Sequence, residues 1–204
     1  MSDADPDVQQ MLAFCAGDDS AFDPLFERWG RPLFHYLDRM LRDTGAAEEL
    51  VQEAFLRVFS ARDRYRPEAR FSTWLYRIAT NLALNELRRP RRSRPHTSSD
   101  ESLDRSVSGS VPLQLVSDTP DADNQLDVRR RSGRVELALS QLPERQGMAI
   151  WLSAVEGLSY AEVASVLETT EKSVKALVHR ARVALVDSVA EGEEKDRITR
   201  EARQ

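Results

Sequence analysis

The chain has 204 residues, a length that fits one large domain or two small ones. Hydrophobic residues make up 41% and charged residues 31%, which permits packed cores and favours helices with long solvated faces. Only 8 glycines and 9 prolines interrupt it, so an all-α fold is expected. The single Cys15 excludes an internal disulfide framework, and the scattered histidines match no zinc-ligand spacing, so we expect no metal and no cofactor.

The sequence contains no sign of membrane insertion or export. No apolar run approaches the roughly 18 residues that a membrane-spanning helix needs. The N-terminus, MSDADPDVQQ, is acidic and lacks the charged-then-apolar layout of a signal peptide. We therefore expect a cytoplasmic protein.

Charge is distributed unevenly along the chain, although the net charge is only −5. Residues 57–94 hold eleven arginines against three acids, a net charge of +8. Residues 98–127 hold seven acids against one arginine, a net charge of −6. A basic segment of this kind indicates a phosphate-binding surface.

Proline, glycine, serine and aspartate concentrate between the two ends of the chain. This composition predicts a flexible acidic linker, residues 93–127, because few apolar side chains are available there to offset the entropy of ordering. The linker separates a helical domain at 1–92 from a second one at 128–190, and a charged, frayed tail follows at 191–204. One short apolar stretch inside the linker, 111–116, is either a docking segment or an unpartnered patch.

Apolar periodicity predicts four helical segments in the first domain, over 8–16, about 20–41, 46–60 and 72–89. The second is expected to kink or break at Gly30 and Pro32, because proline removes a backbone donor. In the fourth, Arg77, Asn81 and Asn85 recur on one outer face with Arg88. This row suits phosphates and base edges, and an ordinary solvated face is the alternative.

The second domain has the layout of a helix-turn-helix. A helix over 143–155 is stopped by Gly157, and Ser159 with Glu162 forms a capping box that opens a short helix. A turn at 168–170 precedes a longer basic helix, which in this motif enters the major groove of DNA.

Three sequence motifs, in order, resemble the extracytoplasmic-function (ECF) group of the sigma-70 family of bacterial sigma factors. They are AEELVQEAFLRVF at 47–59, FSTWLYRIATN at 71–81, and the set LPER at 142–145, GLSYAEVA at 157–164 and HRAR at 179–182. The resemblance covers nearly the whole chain. It implies two helical domains, sigma region 2 and sigma region 4, that bind core RNA polymerase and recognise promoter DNA.

The resemblance also implies roles for particular residues. Core polymerase would be bound at its clamp helices and flap, with the clamp helices contacted by Glu49, Gln52, Glu53 and Arg57. The minus-ten element would be bound as a single strand by Arg62, Arg64, Tyr65, Arg66, Tyr76, Arg77, Asn81, Asn85 and Arg88. The minus-thirty-five element would be bound by Ser159, Glu171, Lys172, Ser173, Lys175, Ala176, His179 and Arg180. An anti-sigma factor is an expected further partner.

The start of the recognition helix departs from the family pattern. Lys172-Ser173 stands where the family usually has glycine followed by threonine or serine, and Ala176-Leu177 where it commonly has a serine-arginine pair. Glu171 suits the helix dipole but repels phosphate, although a carboxylate can accept a hydrogen bond from cytosine N4. We expect the specificity of this chain to lie in that first turn.

Two other classes of function remain open from the residues alone. One is a free-standing regulator that binds duplex DNA through the same helix-turn-helix. The other is a helical nuclease, which would need clustered carboxylates or histidines for a metal. The acids near the basic segment, Asp63, Glu68 and Glu86, form no such motif, so an enzyme is not expected.

Overall fold

The computed structural model describes residues 5–89 (the first half) and 135–201 (the second half), with side chains up to 190. These residues form helices and no strand. The helices are α1 (Pro6–Cys15), α2 (Asp23–Leu41), α3 (Thr44–Ser60), α4 (Phe71–Arg88), α5 (135–141), α6 (Glu144–Ala154), α7 (Tyr160–Val166) and α8 (Glu171–Glu201). The all-α prediction is confirmed for this part of the chain. The predicted linker, 93–127, lies outside the described residues.

In the first half, α2, α3 and α4 pack against one another and α1 closes one side. Each helix contributes an apolar stripe, and the side chains at the centre have no exposed surface: Met11, Phe14, Leu25, Leu33, Tyr36, Leu37, Ala54, Val58, Phe71, Leu75 and Tyr76. No described helix is both long enough and apolar enough to cross a membrane.

Of the expected kink or break in the second helix, the break is wrong, because α2 runs from Asp23 to Leu41 with Pro32 inside it. A proline in a helix interior costs about 3 kcal/mol relative to alanine. Directly beyond it, Leu33, Tyr36 and Leu37 are completely buried. Each such side chain contributes about 1.5–3 kcal/mol on burial, so tertiary packing outweighs the cost of the proline.

The second half is a helix-turn-helix packed on α6. Ser159 and Glu162 form the predicted capping box at the start of α7. The chain turns between α7 and α8 at Glu168, whose φ of 50° lies in the left-handed region. The expectation of a frayed tail is wrong as far as Glu201, because α8 continues to that residue.

The two halves are in contact, which the sequence did not predict. Helix α4 packs against α7, and α2 packs against α6. Buried apolar residues of both halves belong to one continuous cluster. At Gly147 of α6, an added Cβ would lie 3.9 Å from the sulfur of Met40. We call the contact between the halves the seam.

Asp5 caps two helices, although it lies outside every motif found in the sequence. One carboxylate oxygen accepts a hydrogen bond from the N–H of Asp7 at 3.1 Å, at the start of α1. The other accepts from the N–H of Phe71 at 3.3 Å, at the start of α4, where the preceding Arg70 offers no side-chain cap. Asp5 therefore connects α1 to the first turn of α4.

Replacing Asp5 with alanine should lower the free energy of unfolding by about 1–3 kcal/mol, because two helix N-termini lose a carboxylate acceptor. The matched control is Asp43→Ala, which removes a single cap from α3, where Asp43 accepts from the N–H of Ala46 at 3.0 Å. Urea denaturation followed by circular dichroism measures both variants. An equal or smaller loss for Asp5→Ala would contradict the double-cap assignment.

Candidate nucleic-acid and protein interfaces

The outer row predicted on α4 is mostly exposed. Arg77, Asn85 and Arg88 face solvent, and Asn81 is half-buried, with its amide donating to Glu168 of the second half at 3.4 Å. The Arg-rich loop (residues 61–70) precedes this helix and exposes Arg64 and Arg66 in the same way. Loop and helix together present a row of cations and amides.

Arg62 differs from the other arginines of the loop. Its guanidinium donates to Asp19 at 2.8 Å and lies 4.7 Å from the centre of the Phe14 ring. These contacts fasten the loop to the segment between α1 and α2. Arg62 is therefore better suited to holding the loop than to contacting a ligand.

Tyr76, which the resemblance places among the residues that bind the minus-ten element, presents no ring to solvent. It has no exposed surface, and its ring meets Tyr36 at 5.4 Å and Trp29 at 6.1 Å, both edge-on. Its hydroxyl donates to Glu156 of the second half. Burial, and then the nearby Glu156 carboxylate, raise the pKa of Tyr76 well above its ordinary value.

Tyr65 is the other tyrosine that the resemblance places among the minus-ten residues, and it is half-buried in the Arg-rich loop. Its ring packs on Trp74 with centroids 4.8 Å apart. Its hydroxyl is buried without a hydrogen-bond partner. Burial, followed by the charges of Asp5 and Cys15, raises the pKa of Tyr65 to about 12. The ring anchors the loop to α4.

The outer face of α3 carries the charged residues predicted to bind a protein partner. Glu49 and Gln52 are exposed, and Glu53 accepts from Arg57 at 2.8 Å across one helical turn.

The same face also carries large apolar side chains that the sequence analysis missed. Leu56 is 61% exposed and Phe59 is 50% exposed, and Phe26 of α2 is 47% exposed beside Phe55. Leu56 and Phe59 fall outside the buried stripe of α3, so the helical period contained this information. We call Phe26, Leu56 and Phe59 the apolar surface.

The start of α8 is open to solvent along the face predicted to bind DNA. The exposed residues are Glu171, Lys172, Lys175, Ala176, His179 and Arg180. Glu171 forms an ion pair with Lys175 at 3.2 Å, which partly neutralises both charges.

Two hydroxyl groups predicted to contact DNA are engaged within the protein. Ser173 donates its N–H to the hydroxyl of Thr170 at 3.2 Å and accepts that hydroxyl's proton at 3.1 Å. The hydroxyl of Ser159 donates to Glu162 at 2.7 Å. Ser159 thus caps α7, and Ser173 is held at the start of α8 by the capping hydroxyl of Thr170.

Glutamates of the second half accept hydrogen bonds across the seam. Glu156 receives the hydroxyl of Tyr76 and, at 2.8 Å, the indole N–H of Trp151 from its own half. Glu162 faces Thr73 at 3.4 Å and Arg70 at 3.8 Å. Burial acts to raise the pKa of Glu162, but the hydrogen bonds from Ser159, with Arg70 and Thr73 nearby, lower it overall.

Comparison with known proteins identifies the family of this chain. Residues 25–93 match the family model described as Sigma-70 region 2, and residues 132–185 match Sigma-70, region 4. The chain is 31% identical over 173 residues to the ECF RNA polymerase sigma factor SigW of Bacillus subtilis, covering 83% of this chain and 89% of that protein. The chain belongs to the ECF sigma factors.

A second relative and two solved structures agree with this assignment. The ECF RNA polymerase sigma-E factor of Escherichia coli is 31% identical over 173 residues, covering 85% of this chain and 88% of that protein. The structure of CnrH in complex with the cytosolic domain of CnrY aligns with a TM-score of 0.59 at 24% identity, covering 87% of this chain and 94% of that one. The structure of the sigma factor RpoE in complex with the anti-sigma factor NepR from Bartonella quintana aligns with a TM-score of 0.59 at 23% identity. The alignment covers 83% of this chain and 96% of that one. At these identities the structures support the fold alone.

As a sigma factor, this protein is a promoter-specificity subunit of RNA polymerase that acts in transcription initiation. Its first half corresponds to region 2 and its second half to region 4, so the basic loop with α4 and the exposed start of α8 belong to different regions. The free-standing regulator considered from the sequence is not favoured.

Replacing Tyr65 with phenylalanine should raise the free energy of unfolding at neutral pH by about 1 kcal/mol, because a buried hydroxyl without a partner disappears while the ring keeps its contact with Trp74. In the wild type, the folded-state pKa of about 12 lies above the ordinary value of 10.0. The folded state thus favours the neutral hydroxyl, a contribution that is complete below pH 10 and lost between pH 10 and 12.

Denaturant titrations of the wild type and of Tyr65→Phe at pH 7 and through the alkaline window measure both effects. The wild type should lose stability more steeply above pH 10 than the variant does. A destabilised variant at pH 7 would show that the hydroxyl has a partner in solution.

Proposed function

We propose that this sigma factor binds core RNA polymerase through the outer face of α3, holds the melted minus-ten strand with the Arg-rich loop and α4, and reads the duplex minus-thirty-five element with the start of α8. It works in the cytoplasm, where polymerase and promoter are found, and it catalyses no reaction of its own. The observation that carries this proposal is the separation of three exposed surfaces of different chemistry on one chain.

The apolar surface with its charged border has the composition of a protein interface. Phe26, Leu56 and Phe59 expose about half of their side chains or more. Glu49, Gln52, Glu53 and Arg57 share the helix with them, and an apolar centre inside a polar rim is typical of protein–protein interfaces. We propose that this surface binds the clamp helices of core polymerase. The second half would bind the flap.

The row of exposed arginines suits a single strand. Arg64 and Arg66 from the loop, with Arg77 and Arg88 from α4, offer cations along the path of a phosphate backbone. Asn85 can bond to a base edge on the same side. Tyr65 and Tyr76 are left out of this surface because both rings are packed inside the protein.

At the start of α8, two lysines and an arginine provide phosphate contacts beside the carboxylate of Glu171. Lys172, Lys175 and Arg180 are all exposed, as are Ala176 and His179 between them. In the major groove a carboxylate accepts from cytosine N4 and is repelled by a backbone phosphate. We propose that Glu171 supplies base preference, and that the basic residues supply affinity.

An anti-sigma factor is a proposed partner. RpoE of Bartonella quintana is described in complex with the anti-sigma factor NepR, and CnrH with the cytosolic domain of CnrY. The apolar surface of this chain would be covered by such an inhibitor when polymerase is absent. A pull-down from the native cell that recovers polymerase subunits but no small inhibitor would argue against it.

Reconstitution tests the function directly. The chain is mixed with core RNA polymerase and genomic DNA fragments, and the transcripts that start are sequenced from their 5′ ends. A set of starts that share two upstream elements supports the proposal. Failure to co-elute with core polymerase would contradict it.

Replacing Leu56 with glutamate should weaken binding to core polymerase by roughly tenfold to thirtyfold, because a desolvated charge replaces an apolar anchor at the interface. The matched control is Leu12→Glu, since Leu12 is 36% exposed and lies on α1, outside the surface proposed to bind polymerase. Fluorescence anisotropy of the labelled sigma factor gives both dissociation constants. Equal losses of affinity for the two variants would show that the clamp helices do not bind the outer face of α3.

Replacing Glu171 with glutamine should tighten binding of the holoenzyme to unrelated duplex DNA by a few-fold and reduce discrimination between bases in the minus-thirty-five element. The reason is that a charge repelling phosphate disappears, together with a strong acceptor for cytosine. Arg180→Ala serves as the comparison, because loss of a phosphate contact weakens all sequences alike. Binding to a library randomised in the upstream element measures both. An unchanged base preference for Glu171→Gln would assign specificity to other residues.

A further inference from the structure

Arg145 connects the first turn of α6 to the turn of the helix-turn-helix. Its side chain is exposed, and its Nη2 donates a hydrogen bond at 2.7 Å to the backbone oxygen of Leu167, the C-cap residue of α7. The next residue is Glu168, whose φ lies in the left-handed region. The last carbonyls of a helix have no partner within that helix, and here Arg145 supplies one.

The side chain of Arg145 also lines a cleft beside the start of α8. The cleft has a volume of about 590 Å³, and its lining includes Lys172, Ser173, Ala176 and Arg180. These four belong to the face that we propose to bind the minus-thirty-five element. Arg145 therefore lies on the same side of the second half, although it belongs to neither helix of the motif.

We propose that Arg145 is a further DNA-binding residue of the second half. It binds a backbone phosphate at the edge of the minus-thirty-five element, while its bond to Leu167 holds the side chain in place. This inference rests on the proposed function, because it extends the DNA-binding surface at the start of α8.

The charges around the cleft favour a phosphate as the ligand. Among its lining residues are three cations, Arg145, Lys172 and Arg180, and one acid, Glu168. Within the described part of the chain, none of these cations has an ion-pair partner. Glu168 already accepts a hydrogen bond from Asn81 of the first half. A duplex that approaches this side would meet an excess of positive charge.

The bond to Leu167 prepares the guanidinium for a second acceptor. A guanidinium carries several N–H donors in a rigid planar fork, so one can stay on the carbonyl while others bind phosphate oxygens. A side chain that is already held in place loses less conformational freedom on binding. Because the same residue holds the turn, the phosphate contact would also fix the register of α8 on the duplex.

The experiment measures binding of the holoenzyme to a fluorescent duplex that carries the upstream promoter element and ends before the minus-ten element. Anisotropy gives the dissociation constants over a series of salt concentrations. Arg145→Ala should weaken binding by about tenfold, the effect of losing one charged hydrogen bond. The slope of log affinity against log salt should become shallower by about one, because one phosphate fewer is neutralised.

Two conservative variants distinguish phosphate binding from a purely structural role. Arg145→Gln keeps an amide donor for the Leu167 carbonyl but carries no charge, so its salt slope should equal that of Arg145→Ala. Arg145→Lys keeps the cation and should restore most of the wild-type slope. The matched control is Arg31→Ala, which removes the same charge from an exposed position on α2 and should leave the slope unchanged. Base preference in the upstream element should stay that of the wild type in all of them.

An unchanged salt slope for Arg145→Ala, beside a shallower one for Arg180→Ala, would overturn the inference and leave the proposed function intact. Weaker binding would then reflect a loosened turn alone. Loss of affinity for core polymerase instead of DNA would also overturn it, because Arg145 would then belong to a protein interface. If Lys172→Ala and Arg180→Ala change neither slope nor affinity, the start of α8 does not bind the duplex, and the proposed function is contradicted as well.

Discussion

The hydrogen bond from Tyr76 to Glu156 lies where the two halves of the chain meet, and the orientation of α4 depends on the contacts around it. The ring is held edge-on by Trp29 and Tyr36, and Glu156 is held in turn by Trp151. Because neighbouring residues of a helix point about 100° apart, fixing Tyr76 inside places Arg77 outside. The same constraint sends Asn85 and Arg88 to solvent, and thereby defines the basic row.

Packing on two sides makes α4 both a structural and a functional element. Its apolar stripe, including Phe71, Leu75 and Ala79, completes the core of the first half, while Thr73 and Thr80 are buried on other positions of the helix. Only a narrow strip of the helix remains exposed. That strip adjoins the Arg-rich loop, whose position is set by Arg62 on Phe14 and by Tyr65 on Trp74.

Local pattern in the sequence was sufficient for the helices and for the exposed charges of α4 and α8. It failed where distant parts of the chain meet. The ring of Tyr76 looked available because α4 was considered without α7, and Pro32 looked disruptive because the burial of Leu33 and Leu37 beyond it could not be weighed. The apolar surface, in contrast, could have been predicted from local pattern. Leu56 and Phe59 lie outside the buried stripe of α3, so the helical period alone indicates that they are exposed.

The apolar surface and the seam use different elements of the fold. Helix α3 packs on α2 and α4 within the first half, and Leu56 and Phe59 remain exposed on it although the two halves are in contact. The seam uses α4, α7 and the end of α2 instead. Contact between the halves therefore leaves the surface that we propose for core polymerase open to solvent.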